Sequence, residues 1–549
     1  MKRLIAVALA VLMLVSAFAL TSCGEDPTGS SSSSSSSSTP TPTPEPTSEP
    51  TSEPTSEPTS EPTSEPSDSS SSDTPVIIDP TDSSSSSQAG GTDNPSIGGD
   101  NDGKSKLEGF LDVDFGDRTF HFLTAYDYAD EVGRWCNKNE VAVDSRTGGT
   151  IVDTAVYDRN QVMKSLYNCN IKATEAENGG TLIKNDVTSG TNEYDFIFSQ
   201  NAVFNTNKEG LYYNFYDLDL NFEIPGWDMT FINDVTAIDS NGNQKLYSIS
   251  GDFNLVMFRA TWTIACNLDL YNANFTESIF DIVNNEEWTI DKMMQMCAAV
   301  AKDTDGDSAW TVDTDTFGLL TTTHNILGLI TSSGLNFVNR DDAGKFTSSA
   351  DAIKANNASE VFDKIIEFYS MSGVVATNGY TSNQTNLENG KTLFIGETLD
   401  ILERTSESDV NLAILPCPLY DASVQDTYNS ICMTKLSALK VSKNAAGGDA
   451  EMISDFLNLY TFHSNKLVLP EFIKLWGSVY CNDSRNEEMI KIIIANRNYD
   501  YSYFSNTGVY AQTASIASGQ NNLSRAATKW AKTITDKLSA FQSDLDASN

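Results

Sequence analysis

Apolar residues recur along most of the chain in two rhythms. Thr119-Phe120-His121-Phe122-Leu123 is a β-prone run, and Tyr126, Asp127, Tyr128 and Trp135 follow it. From about Thr154 to Tyr167, the spacing of Ala155, Val162 and Leu166 predicts a helix. Asn170 to Thr174 reads as the next strand. A further helical stretch leads to a strand at Tyr194-Asp195-Phe196-Ile197-Phe198, which ends in Ser199-Gln200-Asn201. Later helices carry clearer apolar stripes: Ala358, Val361, Phe362, Ile365, Ile366 and Tyr369; then Ile453, Phe456, Leu457 and Tyr460; then Ala527, Trp530, Ala531, Ile534, Leu538 and Phe541 behind a Ser524 cap. Such stripes most often pack a core. Strands alternate with helices, which predicts an α/β fold with a largely parallel sheet.

Both rhythms are missing from residue 24 to about 105. Polyserine passes into Thr-Pro and then Thr-Ser-Glu-Pro repeats (Thr47 to Pro66), and Ser, Asp and Gly follow to about Gly103. This composition offers too little apolar area to offset ordering entropy, so the sequence predicts a disordered linker over 23–106. Fully extended, it would reach roughly 200 Å at about 3 Å per residue. Ahead of it, Lys2 and Arg3 precede a run from Leu4 to Leu20 that only Ser16 interrupts, and Leu20-Thr21-Ser22-Cys23 ends it. The run is short for a membrane span and matches a secretory leader over 1–22. Cys23 is then the expected lipidation site of a bacterial lipoprotein, with acyl chains that hold the protein on the membrane's outer face. An ordinary leader with a chance cysteine is the plainer alternative. Residues 107–549 remain for the folded part.

Charge narrows the partners. The formal charge is −40, from 75 acidic and 35 basic residues. Few bases are available to neutralise phosphate, which argues against nucleic acid and against direct binding to anionic headgroups. The other cysteines, Cys136, Cys169, Cys266, Cys297, Cys417, Cys432 and Cys481, form no CxxC pair and are widely spaced. They read as small buried apolar residues rather than a zinc site or a disulfide framework. Asp303, Asp305 and Asp307 alternate around Gly306, with Asp313 and Asp315 close behind. Alternating carboxylates about a glycine can wrap a structural calcium ion, although the spacing departs from an EF-hand; a solvated acidic loop is the alternative. No other cofactor is called for.

Several stretches, taken in order, resemble the family 1 extracellular solute-binding proteins, the lipid-anchored receptors of ABC sugar importers, in their Gram-positive form. They are Asp114-Phe115-Gly116; Thr154-Ala155-Val156-Tyr157-Asp158-Arg159-Asn160; Gly251-Asp252-Phe253; Asn267-Leu268-Asp269-Leu270; Trp288-Thr289-Ile290-Asp291-Lys292; and Leu412 to Pro418 leading to Tyr420 and Tyr428. The match runs from about Leu111 to the C-terminus. It implies a two-lobe, periplasmic-binding-protein-like fold with a hinge, an interlobe cleft for a sugar or oligosaccharide, and permease subunits as partners. Sugars need planar polar side chains and aromatic faces. In parallel sheets, ligands sit beyond the carboxyl ends of strands. The expected cleft residues are therefore Tyr126, Asp127 and Tyr128; Ser199, Gln200 and Asn201; Asp252, Arg259 and Trp262; Glu397 and Arg404; and the late aromatics Tyr499 and Tyr501, with Tyr503 beside them. For each, a surface loop or lobe packing is the alternative. Trp288 and Trp530 read as structural.

The competing reading is an exported glycoside hydrolase that uses paired carboxylates. Other chemistries fare worse. His121, His324 and His463 are far apart in sequence, and no HExxH, GxSxG or Walker A pattern occurs. Ser437-Ala438-Leu439-Lys440 matches SxxK but falls inside a β-prone run. A noncatalytic adhesin would want repeats or a sandwich rhythm, which are missing.

Overall fold

The computed structural model describes residues 101–549 apart from 201, 202, 324, 356, 378, 435, 506, 510–522 and 549. The leader, Cys23 and the linker, like Asn201 and His324, lie outside the described residues.

The main strands, in chain order, are β1 (Arg118–Tyr126), β2 (Cys169–Glu177), β3 (Phe196–Gln200), β4 (Trp262–Asn267), β5 (Phe317–Thr322), β6 (Val374–Thr377), β7 (Thr392–Thr398), β8 (Leu412–Leu415) and β9 (Ser437–Val441). They form a 4-stranded sheet ordered β9-β3-β1-β2 and a 5-stranded sheet ordered β6-β5-β7-β4-β8. In the first sheet β1 runs parallel to β2 and β3, and β9 adds an antiparallel edge. In the second, β6, β5 and β7 are parallel, while β4 and β8 are antiparallel.

Each sheet has its own apolar core. In the first, Phe120, Phe122 and Phe196 meet Phe456 and Tyr460 of the helix Ala450–His463. The Phe120 and Phe456 rings stack with centroids 3.9 Å apart. In the second, Leu319, Phe394 and Ile414 pack with Trp288, Phe362, Ile365 and Trp530. The Trp288 indole donates to the Pro416 carbonyl at 2.9 Å, so this residue is structural, as expected. The described cysteines are free and buried.

Local chemistry explains where helices start. The helix expected from Thr154 begins at Ile151, because Thr150 accepts from the Asp153 amide while the Asp153 carboxylate returns the bond to the Thr150 amide. It ends at Asn168, whose φ of 55° is tolerated by asparagine. Asp449 caps the helix that follows it by accepting from the Met452 amide alone.

The chain passes repeatedly between the sheets. After Arg259 it enters β4, and Thr261 pairs with Cys432 on the way back. Ser430–Ile431 runs parallel to Arg497–Asn498, a later passage. These short segments lie side by side as a hinge. The helical run from Ala450 also crosses: its first part joins the first core, a π-helical turn spans Ser464–Val468, and Phe472 and Trp476 join the second core. The described residues thus form a two-lobed α/β structure. Among the described residues no helix is long and apolar enough to cross a membrane.

Candidate functional site

The parallel strands of the first lobe end at Tyr126, Glu177 and Gln200, and those of the second at Thr322, Thr377 and Thr398. Segments beyond β1 and β7 meet each other. Arg134, in the loop after β1, donates through Nε to Asp400 Oδ2 at 2.6 Å, two residues past the end of β7. The segments that follow β1 and β7 thus approach each other, and open α/β sheets hold ligands beyond the carboxyl ends of their strands.

Polar side chains at these ends are buried without partners. The Gln200 amide nitrogen and oxygen, Thr322 Oγ1, both Asn325 amide atoms and Glu397 Oε1 find no hydrogen bond among the described residues. Asn325 is 0% exposed and Thr322 1%. A buried polar group left unmade costs about 1–3 kcal/mol, so each of these atoms is a place where a further hydrogen-bonding group would be stabilising. Gly396 makes room for it: a Cβ there would lie 2.4 Å from Asn325 Oδ1 and 2.5 Å from Thr321 Oγ1. The absent side chain lets the Asn325 amide lie against β7 beside Glu397.

Charges are arranged around this neutral patch. Arg404 donates to Glu397 Oε2 at 3.1 Å, to Asp400 Oδ2 at 3.1 Å and to Gln384 Oε1 at 3.0 Å. Thr398 donates its hydroxyl to Asp400 Oδ1. Burial pushes Glu397 up to about 7; Arg404 opposes this, Asp400 reinforces it, and burial prevails despite the ion pair.

The expected site residues divide accordingly. Gln200 ends β3, Glu397 lies in the last residues of β7, and Arg404 follows β7. Tyr126 is half-buried at the end of β1, with Asp127 and Tyr128 exposed beyond it, and both following backbone amides donate to Glu131 Oε2 at 3.1 Å. Ser199 faces the other side of its strand and accepts from Lys440 Nζ at 2.5 Å. Asp252 accepts from Asn465 at 2.8 Å, and burial pushes it up to about 6. Arg259 is buried and tied to Glu140 and the Gly133 carbonyl. Trp262 is 1% exposed in the second core. Tyr499 and Tyr501 lie at the hinge rather than at the strand ends: Tyr499 donates to Asp228 Oδ2 at 2.9 Å, and Tyr501 packs against Phe204, Phe346 and Phe541. Sequence reading missed Arg134, Thr322, Asn325 and Asp400. The run Phe317-Gly318-Leu319-Leu320 followed by Thr321-Thr322-Thr323 was the available signal for the second lobe's share.

In the acidic loop, carboxylate oxygens of Asp303, Asp305 and Asp315 come within 4.8 Å of one another; Asp307 and Asp313 are not part of that group. Backbone amides already occupy its carboxylates: Gly306 and Ser308 on Asp303, Thr304 and Thr311 on Asp315. His121 and His463 are buried and bonded to Thr174 and Tyr167 hydroxyls and to main-chain carbonyls. Burial pushes His463 down to about 4, so it is neutral at pH 7.

No family model matches the chain, and no curated protein sequence does. Solved structures do match. The GacH receptor of Streptomyces glaucescens, described unliganded and with acarbose, is 12% identical, with 77% of this chain and 99% of that one covered and a TM-score of 0.45. A maltose-binding periplasmic protein of Listeria monocytogenes in complex with maltose is 16% identical over 77% and 98%, with a TM-score of 0.47. The galacto-N-biose/lacto-N-biose I-binding protein of a Bifidobacterium longum ABC transporter is 13% identical over 78% and 98%, with a TM-score of 0.45. These are distant likenesses, and the fold is taken from the strand order and the two cores.

Proposed function

We propose that this chain is the capture subunit of an ABC importer: it closes its lobes around an uncharged carbohydrate, of oligosaccharide size, and passes it on unaltered. The observation that carries this reading is the set of buried neutral groups without partners, Gln200 from the first lobe and Thr322 and Asn325 from the second. Planar amides and hydroxyls offer the paired donors and acceptors that sugar hydroxyls need. Because the groups come from both lobes, a bound sugar makes its full set of bonds only when the lobes are together. Ligand then shifts the equilibrium toward the closed form by its preference for that form. The leader and Cys23 add a lipid anchor on the outer face of the membrane, with residues 23–106 as a tether, and permease subunits as the receiving partner.

A thermal-shift screen with mono- and oligosaccharides tests the reading, since a ligand that prefers the native form raises the melting temperature. A panel without any shift would count against it. Glu397, pushed up to about 7, has the protonation of a general acid and keeps the hydrolase reading in view. Its neighbour Asp400, however, is held by Arg134, Arg404 and Thr398 and is poorly placed to activate water or attack a sugar. Release of reducing ends from glycans by the purified protein would favour the hydrolase.

A further inference from the structure

A cavity of about 450 Å³ lies at the hinge. Its size falls in the range of about 300–1,000 Å³ typical of small-molecule sites. It is bounded by Thr230 and Asp234 of the first-lobe helix Met229–Val235, by Asn336 and Arg340 of the second lobe, and by the hinge segment from Asn496 to Tyr501. None of the strand-end residues of the cleft lines it.

The charged groups around this cavity are already engaged. Arg340 donates to the carbonyls of Asn233, Asp234, Thr236 and Gly344 and lies over the Phe346 ring at 4.3 Å. Arg497 is paired with Asp228 at 2.6 Å and with the Tyr499 hydroxyl. Asp500 accepts from the amides of Phe337, Val338 and Ser502. Asp234 accepts from the Tyr499 amide, and burial pushes it up to about 6. Most of the hydrogen-bonding capacity of these charged side chains is thus spent within the protein.

Neutral polar groups line much of the rest. Asn336, Asn339, Asn429, Asn496 and Asn498 all line the cavity. Asn498 Oδ1 is buried with no partner among the described residues, and so is Nη1 of Arg497, a residue 6% exposed. Buried unmade bonds in a cavity of ligand size mark a site rather than a packing gap, which would be lined with apolar groups. Phe346 and Tyr501 supply the apolar share of the wall.

We propose that this cavity is a second binding site, for a small, uncharged, hydroxyl-rich molecule, separate from the strand-end cleft. Saturation-transfer NMR on the mature chain tests it, with glucose, sorbitol, maltose and cellobiose as the molecules tried. A cleft-disabled variant (Gln200→Leu with Asn325→Leu) is compared with the same variant carrying Thr230→Trp and Asn339→Trp. The latter two positions are exposed on the cavity wall, so filling it there leaves both cores intact. At least one of the four compounds should bind the cleft-disabled chain and weaken by at least about tenfold once the cavity is filled, while circular dichroism shows both chains folded. The proposal is overturned if none of the four binds the cleft-disabled chain, or if binding survives the filling. Cleft binding is read separately, on a chain with Thr230→Trp and Asn339→Trp alone, so failure of one site is not mistaken for failure of the other.

Discussion

Replacing Lys440 by methionine should stabilise the protein near neutral pH, and the gain should shrink as pH rises. Lys440 sits on β9, 2% exposed, with Ser199 Oγ as the acceptor of its Nζ and the Tyr212 ring 5.5 Å away. Burial alone pushes its pKa down from 10.5 to about 7. The folded chain therefore binds fewer protons than the unfolded chain between those two values, so stability is present above 10.5 and lost as pH falls toward 7. A gap of 10.5 − 7 = 3.5 pKa values, at about 1.4 kcal/mol each, costs about 4 kcal/mol at pH 7 and about 2 kcal/mol at pH 9. Methionine removes this cost, fills similar space and gives up one hydrogen bond worth about 1 kcal/mol. Urea unfolding of both chains at pH 7 and pH 9, followed by tryptophan fluorescence, measures the difference. Lys440→Met should be the more stable chain by about 3 kcal/mol at pH 7, and its lead should fall by about 2 kcal/mol at pH 9. A difference that does not change with pH, or a variant less stable at pH 7, would refute the burial argument.

Asn325→Leu should leave the ligand-free melting temperature unchanged or raised, because an unmade buried amide is replaced by an apolar group of similar size; the sugar-induced thermal shift should vanish. Glu397, raised from 4.5 to about 7, contributes stability that is present below 4.5 and lost as pH rises through 7, so Glu397→Gln should flatten the wild-type decline in melting temperature over that window. Arg134→Ala removes the ion pair to Asp400; with Arg134 40% exposed the stability loss should stay below about 1 kcal/mol, while small-angle scattering of the ligand-free chain should show a larger radius of gyration. Gly396→Ala drives a methyl to 2.4 Å from Asn325 Oδ1 and should cost about 1–3 kcal/mol in chemical denaturation as well as sugar affinity.

The strands around Phe120, Ile171 and Phe196 and the striped helices were legible because their signals, alternation and helical spacing, are local; caps were not, since Ser524 lies inside the helix Leu523–Asp546 and Thr150 went unread. The cleft was legible only in part. Ser199 and Gln200 are neighbours in sequence, yet successive strand residues face opposite sides. The partner that claims Ser199 is Lys440, 241 residues away, which no local pattern announces. The same alternation separates Ser437 from Lys440 on β9, so their SxxK spacing brings no dyad together. Tyr499 and Tyr501 have the composition of a sugar platform, but the pairing of Arg497–Asn498 with Ser430–Ile431 draws them to the hinge. The alternating aspartates of the acidic loop do not gather as their spacing suggests: Asp315, rather than Asp307 or Asp313, joins Asp303 and Asp305.

The antiparallel edge of the first sheet has a consequence for biosynthesis. Until β9 emerges from the ribosome, β3 has an open flank, and Phe120 waits for Phe456 to cover it. The N-terminal lobe can thus be finished only after most of the C-terminal lobe has been made. A nascent polypeptide truncated before Ser437 would present a bare strand and an uncovered aromatic surface, both prone to aggregation. Late, long-range closure of this kind is slow.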